Sequence, residues 1–361
     1  MPDTAHLPSH TRLHLLAATV ATAVLAGCAS PPAPVVTSAV APAASPAPSI
    51  ANPPPVAPPE GDTQAAADSV QYSNFAHWKQ DFAPRARAAG ISERTVRSAL
   101  ANAKLQPSII KFDRAQPEFT RTPWQYLDSA VSAQRVKTGK LKMQEAASAL
   151  QSASKRYGVP ASVIAAIWGM ESNYGSNFGS FSAVDAFATL AFDGRRAEWA
   201  QKEMIAALRI IDNGDIDAAH MIGSWAGAMG HTQFLPSVFF QYAVDADGDG
   251  KRDIWGSMAD VTASTANYLA SSGWTATEPW GVEVKLPSGF DYARTELSNR
   301  QNSSAWAAEG VQSINGQALP SMAGASIITP AGARGPAFMV GSNFRAILRY
   351  TNSVNYALAV S

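Results

Sequence analysis

The sequence predicts an α+β fold, mainly helical with a small β subdomain. Three observations carry this. Apolar residues recur at helical spacing through most of the stretch from Phe75 to Ser271. Strand-like runs are confined to the stretch from Val282 to Val340. Helical spacing returns from Phe344 to Tyr350. With 361 residues, 46% hydrophobic and 16% charged, the chain is long enough for one large domain or two with an ample core. Its formal net charge is zero, which gives no sign of nucleic-acid binding and suits a polymer substrate of mixed charge.

The first residues do not belong to that fold. Arg12 and His14 precede an apolar run, Leu15 to Ala26, too short to span a bilayer as a mature helix. It reads as the h-region of a signal peptide over residues 1–28. The run ends Leu25-Ala26-Gly27-Cys28, which resembles a bacterial lipobox, so Cys28 is expected to carry lipid and become the mature N-terminus. An ordinary signal peptide with an incidental cysteine is the plainer alternative. Small residues before Cys28 and a Pro/Ala-rich segment after it favour lipidation. Cys28 is the only cysteine, which excludes a disulfide within the chain and a cysteine nucleophile in the folded part. By resemblance to lipoprotein sorting, Ala29 after the cysteine favours the periplasmic face of the outer membrane. Residues 29–70 are Pro, Ala and Ser with almost no aromatics, a disordered tether that gives an anchored domain reach.

Globular composition begins near Gln71. Phe75, Trp78 and Phe82 start one helix, and Ser92 caps a second that runs through Ala101. Pro107, Pro117 and Pro123 punctuate a connection. Helices are then expected from Trp124 to about Val136 and from Gln144 to Tyr157, where Gly158 ends the second. The central stretch, Val159 to Gly175, follows. Pro160 suits a first turn, and Val163, Ile164, Ile167 and Trp168 form an apolar stripe. Glu171 falls four residues after Ile167, on that stripe, with Gly175 placed to stop the helix. A carboxylate facing a core is costly to ionise. It either finds a partner or stays protonated near neutral pH, as a general acid must. A glutamate at a helix end can also swing into solvent, and spacing alone does not separate the two.

Phe181 to Phe192, Glu198 to Asp212 and Asp215 to Ile222 continue the helical style. Gly223 to Ser237 is too rich in small residues for a regular helix and suits close approach to backbone or ligand. A tight helix crossing would also explain it. The polar Ser224 and Gln233 within the stretch favour a cleft wall. In Asp245-Ala-Asp-Gly-Asp-Gly-Lys-Arg-Asp253, Asp245, Asp247, Asp249 and Asp253 stand at positions 1, 3, 5 and 9, with Gly250 at position 6. That is the front half of an EF-hand calcium loop, or else a solvated acidic turn. Gly256 replaces the usual glutamate at position 12, and Asp260 is placed to close a longer loop. Val261 to Ser271 is a helix whose Asn267-Tyr268 pair can face the same cleft. Val282–Leu286, Ala325–Thr329 and Ala337–Val340 are expected strands, and Tyr350 and Tyr356 lie among polar residues at the end. Most of the nine tryptophans should be core.

Trp168-Gly-Met-Glu-Ser-Asn-Tyr-Gly175, Gly223 to Ser237 and Tyr242 to Trp255 together resemble glycoside hydrolase family 103, the membrane-bound lytic murein transglycosylase B family. The likeness runs from about Phe75 to the C-terminus. It implies a lysozyme-like core with an added helical lobe and a small β lobe. The expected layout of a catalytic domain over 71–361 is a helical lobe at about 71–143, a core at about 144–280 and 342–361, and a β subdomain at about 281–341. The resemblance implies that Glu171 is the only catalytic carboxylate. It would protonate the oxygen between N-acetylmuramic acid and N-acetylglucosamine, then act as base on the muramyl C6 hydroxyl, closing a 1,6-anhydro ring. Ser224 and Gln233 match cleft residues that bond the acid or the N-acetyl group. Tyr268, Tyr350 and Tyr356 match aromatics lining the saccharide subsites, with Tyr126 a further match. The family often has Asn after the first of the C-terminal tyrosines, where this chain has Thr351 and then Asn352. Asp245, Asp247, Asp249 and Asp260 match a structural calcium loop, with Lys251 offering its carbonyl. No catalytic cofactor is implied. The implied partners are peptidoglycan glycan strands, the membrane through Cys28, and cell-wall synthesis enzymes as candidates.

Rival functions are a water-using muramidase with Asp185 or Asp193 as second carboxylate, a non-catalytic wall-binding scaffold, and a calcium-regulated adaptor. A single calcium loop makes a poor sensor.

Overall fold

The structure is a computed structural model that describes residues 75–115 and 121–361. Cys28, the expected signal peptide and the tether lie outside the described residues. In chain order the helices are α1 (Phe75–Ala88), α2 (Glu93–Asn102), α3 (Pro107–Arg114), α4 (Pro123–Ala130), α5 (Ala133–Glu145), α6 (Ala147–Tyr157), α7 (Ala161–Ser172), α8 (Ala183–Asp193), α9 (Ala197–Asn213), α10 (Pro236–Tyr242), α11 (Met258–Ser271), α12 (Ser303–Ala308), α13 (Ser342–Tyr350) and α14 (Val354–Val360). Short strands β1 (Phe181–Ser182) and β2 (Ile222–Gly223) pair antiparallel. Strands β3 (Gly281–Lys285), β4 (Gln312–Ser313), β5 (Ser326–Ile328) and β6 (Ala337–Val340) form an antiparallel sheet in the order β4-β3-β6-β5. The fold is therefore mainly helical with small sheets. Among the described residues no helix is long and apolar enough to cross a membrane.

Apolar faces sort the elements into three cores. Trp78, Phe82, Phe187, Met204 and Phe239 join α1, α8, α9 and α10. Leu150, Ile164, Ile167, Leu269, Phe344 and Ile347 join α6, α7, α11 and α13, and this second core underlies Glu171. Val284, Trp306, Ile327 and Met339 fill the space beneath the four-stranded sheet. Trp78, Trp168 and Trp306 are buried and Trp124 is exposed, so the tryptophans divide mainly by packing.

Local signals explain most boundaries. Ser92 accepts the Thr95 amide at the start of α2, and Ser257 accepts the Asp260 amide at the start of α11. Thr122 and Gln125 form a reciprocal capping box before Pro123. The expected helix from Trp124 to Val136 is two helices, because Ser132 caps α5 and turns the chain after Ala130. Pro107, read as part of a connection, opens α3 at its first turn, where a missing N–H costs nothing.

The expected helix from Asp215 to Ile222 is absent. Gly214 at φ +83° ends α9. The Asp215 carboxylate is held by the Arg252 guanidinium and backbone amide, and Asp217 accepts the Ala219 and His220 amides in a local turn. Ile222 and Gly223 then enter the strand pair. The small-residue stretch is likewise no helix crossing. The Ser224 amide donates to the Ala228 carbonyl, the Ala228 amide donates back to the Ser224 hydroxyl, and Met229 bridges both Gly223 and Phe234. A β-carbon on Gly223 would lie 2.1 Å from the Ala228 carbonyl oxygen, so only glycine permits this closure.

Candidate active site

Helix α7 delivers Glu171 from the second core. It ends three residues before the expected glycine: Asn173 and Tyr174 already take positive φ, followed by Gly175 at +80°. This tight C-terminal turn fixes the glutamate at the helix end. The Tyr174 ring folds back over α7 and packs edge-on against Trp168, with centroids 5.5 Å apart.

Glu171 is half-buried. Its Oε1 accepts the Tyr356 hydroxyl from α14 at 2.5 Å, and the Thr351 hydroxyl bonds it from the turn between α13 and α14. Burial raises the carboxyl pKa to about 7, against these two bonds, which favour the charged form and pull it down. Loss of hydration therefore outweighs hydrogen bonding. The group is poised to give and take a proton near neutrality. Burial and the nearby Glu171 charge hold the Tyr356 phenol well above its usual range, so it stays a neutral donor.

Tyr126 on α4 and Tyr350 on α13 complete the surroundings. Burial raises both phenols first, and Glu171's charge adds to each, which places both rings within its electrostatic reach. Tyr350 donates its hydroxyl to the Thr232 carbonyl at 2.6 Å. Its ring packs at a tilt against Tyr268, with centroids 4.6 Å apart, and Tyr268 packs in the same way against Tyr242 at 4.6 Å. Tyr268 is thus one ring further from the acid, tied by its hydroxyl to the Arg349 carbonyl. Tyr242, which opens the acidic-loop motif and is not among the expected subsite aromatics, belongs to this aromatic row.

Ser224 accepts the Ala228 amide and closes its own loop. Gln233 sits at φ +52° and donates its amide to the carbonyls of Phe178 and Gly230, 3.1 and 2.9 Å away. It therefore ties the small-residue loop to the segment after α7. With both amide hydrogens used, its side chain has an acceptor left to offer.

The sequence pattern does not single out His231. Its Nδ1 accepts the Trp168 indole N–H at 2.8 Å, and its backbone amide donates to the Ile254 carbonyl at 2.9 Å. Burial holds its pKa below the ordinary value, which favours the neutral ring that this bond requires. A β-carbon on Gly175 would lie 2.0 Å from the imidazole, so Gly175 exists to admit His231. The signal lies in two distant motifs meeting, which spacing does not reveal.

Asp185 and Asp193 are occupied elsewhere. Asp185 accepts the Lys104 amide and the Gln106 side chain, and Asp193 pairs with Arg114. Neither registers on Glu171, whose neighbours are hydroxyls.

In the acidic loop, carboxylate oxygens of Asp245, Asp247 and Asp249 lie within 4.8 Å of one another. Three like charges so close repel unless a cation intervenes. The hard-oxygen set fits calcium. Asp260 stands apart from that group. It is fully buried, and its two oxygens accept the Ala246 and Asp253 amides, both at 2.7 Å. It braces the loop through these backbone bonds, and the charge of Asp247 reaches it. The Lys251 amide donates to Asp249.

Residues 74–361 match the family model described as the transglycosylase SLT domain. The chain is 32% identical over 287 residues to membrane-bound lytic murein transglycosylase B of Escherichia coli K12, covering 75% of this chain and 77% of that protein. Among solved structures, SltB3 of Pseudomonas aeruginosa in complex with NAG-anhNAM-pentapeptide is 52% identical. It covers 80% of this chain and 78% of its own, with a TM-score of 0.77. Escherichia coli lytic transglycosylase Slt35 in complex with calcium is 30% identical, covering 78% and 90%, with a TM-score of 0.66.

Proposed function

The chain belongs to the transglycosylase SLT domain family, and from that premise we infer that it is a lytic transglycosylase whose single catalytic carboxylate is Glu171. It is an enzyme of polysaccharide cleavage, and its substrate is peptidoglycan. The observation that carries the residue assignment is the half-buried Glu171, with a pKa of about 7 and no carboxylate partner among the described residues.

Protonated Glu171 gives its proton to the oxygen linking muramyl C1 to N-acetylglucosamine. The C1–O bond breaks with the electron pair leaving on that oxygen. The substrate's own N-acetyl group stabilises the positive charge at C1. The Glu171 carboxylate then takes the C6 hydroxyl proton, O6 bonds to C1, and the 1,6-anhydro product leaves with the acid regenerated. Tyr356 and Thr351 hold the carboxylate in place through both steps. Gln233 offers a carbonyl suited to the N–H of an N-acetyl group. Tyr126, Tyr268 and Tyr350 supply ring faces and edges for the sugars. Ser224 supports the wall.

Mass spectrometry of peptidoglycan treated with residues 71–361 tests this. Muropeptides one water lighter than hydrolysed ones support it, and hydrated products overturn it in favour of a muramidase.

Asp245, Asp247 and Asp249, with the Lys251 carbonyl, would hold one structural calcium ion, braced by Asp260. The ion would offset the repulsion among the three carboxylates and take no part in the reaction. Calcium at a hundredfold excess over its dissociation constant should add about 2.7 kcal/mol of stability. The shift in melting temperature should largely vanish in Asp249→Asn, and an unresponsive wild-type protein would refute the site.

We place the enzyme at the periplasmic face of the outer membrane, anchored through lipidated Cys28. Cys28→Ser should move the protein from the membrane fraction to the soluble one. Retention in the membrane fraction would sink the anchor. Cell-wall synthesis enzymes are proposed as partners on the family likeness alone.

A further inference from the structure

Helix α13 has two working faces. Tyr350 lies on one, toward Phe234 and Tyr268. Ser342, Arg345, Arg349 and, past the helix end, Asn352 follow at helical spacing on the other and line an open cavity of about 640 Å³. Arg300, from the loop before α12, joins them there.

Charge in this cavity is unbalanced. Among the described residues, Arg300, Arg345 and Arg349 form no ion pair with a carboxylate. Arg345 is half-buried. Its Nη2 donates to Ser326 Oγ at 2.6 Å, while its buried Nε has no acceptor. The one charged group that registers on Arg345 is Arg300, which, with burial as the larger cause, lowers its pKa. Glu278 bonds the lining residue Ser342 and is itself occupied, accepting the Ser342 hydroxyl and the Ala323 amide, and Glu296, beside the lining Leu297, accepts the Ser298 hydroxyl. Like charges gathered without a counterion cost free energy, which an oxyanion would recover through guanidinium forks. Leu348 gives the cavity an apolar wall, which suits an anion carried on a short aliphatic group.

We propose that this cavity, outside the cleft of Glu171, binds a peptide carboxylate of peptidoglycan through Arg300, Arg345 and Arg349. The proposal rests on the peptidoglycan reading above.

Calorimetric titration of residues 71–361 with free stem pentapeptide tests it without catalysis. Arg300→Gln/Arg349→Gln removes two exposed charges and leaves Arg345 packed. It should weaken pentapeptide binding about tenfold. In turnover, KM for peptide-bearing strands should rise by a similar factor, with kcat and the cleavage of peptide-free strands unchanged. Equal binding by variant and wild type, or no binding by wild type, overturns the proposal. Equal losses on both strand types overturn it too. Inorganic phosphate that displaces the pentapeptide at equal concentration would reassign the cavity to phosphate. Failure of the wild type to cleave either strand would refute the enzyme reading, while the titration would still decide this site.

Discussion

Glu171→Gln should abolish cleavage, with a loss on the order of 10⁴-fold, and at the same time stabilise the protein at alkaline pH. The activity loss follows because one group serves both proton transfers, and glutamine can neither donate an acidic proton nor accept one at this strength. The stability gain follows from burial. Unfolded, Glu171 ionises near pH 4.3, whereas folded it does so near 7. Below pH 4 both states are protonated and the substitution changes little. As pH rises through that window the unfolded chain releases its proton first, and the wild-type fold loses stability. Above pH 7 the loss levels off at about 4 kcal/mol. Glutamine keeps the acceptor for Tyr356 and escapes this loss. Urea unfolding at pH 4 and pH 8 measures it. A gain no larger at pH 8 than at pH 4 would mean that Glu171 is not the buried acid described.

Tyr356→Phe should slow turnover about 10- to 100-fold and move the acid midpoint of the pH–rate profile upward. Tyr356 is buried, 5% exposed, and its hydroxyl is the nearest donor to Glu171. Phenylalanine fills almost the same volume, so α14 should pack as before. What disappears is a hydrogen bond to a charged acceptor, worth about 1.5–3 kcal/mol. That bond favours the carboxylate, so its loss raises the pKa of Glu171 above about 7. The acid form then persists to higher pH, while the base step loses its positioned carboxylate. A midpoint that stays in place, or moves down, would show that Tyr356 packs against the acid without tuning it. Thermal denaturation of the same variant separates this from misfolding.

The two predictions concern a carboxylate visible in the sequence and a partner whose role is not. The helical stripe of Val163, Ile164, Ile167 and Trp168 puts Glu171 on a core-facing side through local periodicity. Alternating carboxylates mark Asp245, Asp247 and Asp249 as a group, because a turn brings such spacing together whatever surrounds it. Capping serines and prolines mark several helix ends. These features depend on neighbours within a turn or two, so the chain states them locally.

The rest depends on long-range packing. The hydroxyl bonded to Glu171 comes from 185 positions along the chain, and α14 supplies it by packing on α4 and α7. Thr351, standing where the family often has Asn, reaches the same carboxylate. His231 meets Trp168 across 63 positions, through a gap that only glycine at 175 leaves open. Asp215 has the look of a helix start, but Arg252 claims its carboxylate. Asp260 is spaced as a closing ligand, and only the folded loop shows that its two oxygens also accept the Ala246 and Asp253 amides. The sequence by itself determined the helical class, the small β subdomain, the place of Glu171 on its helical stripe and the acidic loop, because periodicity and spacing are short-range properties. Only the tertiary structure decided the partners of each charge, and hence the pKa of the acid, because burial and hydrogen bonding are set by residues far apart in the chain.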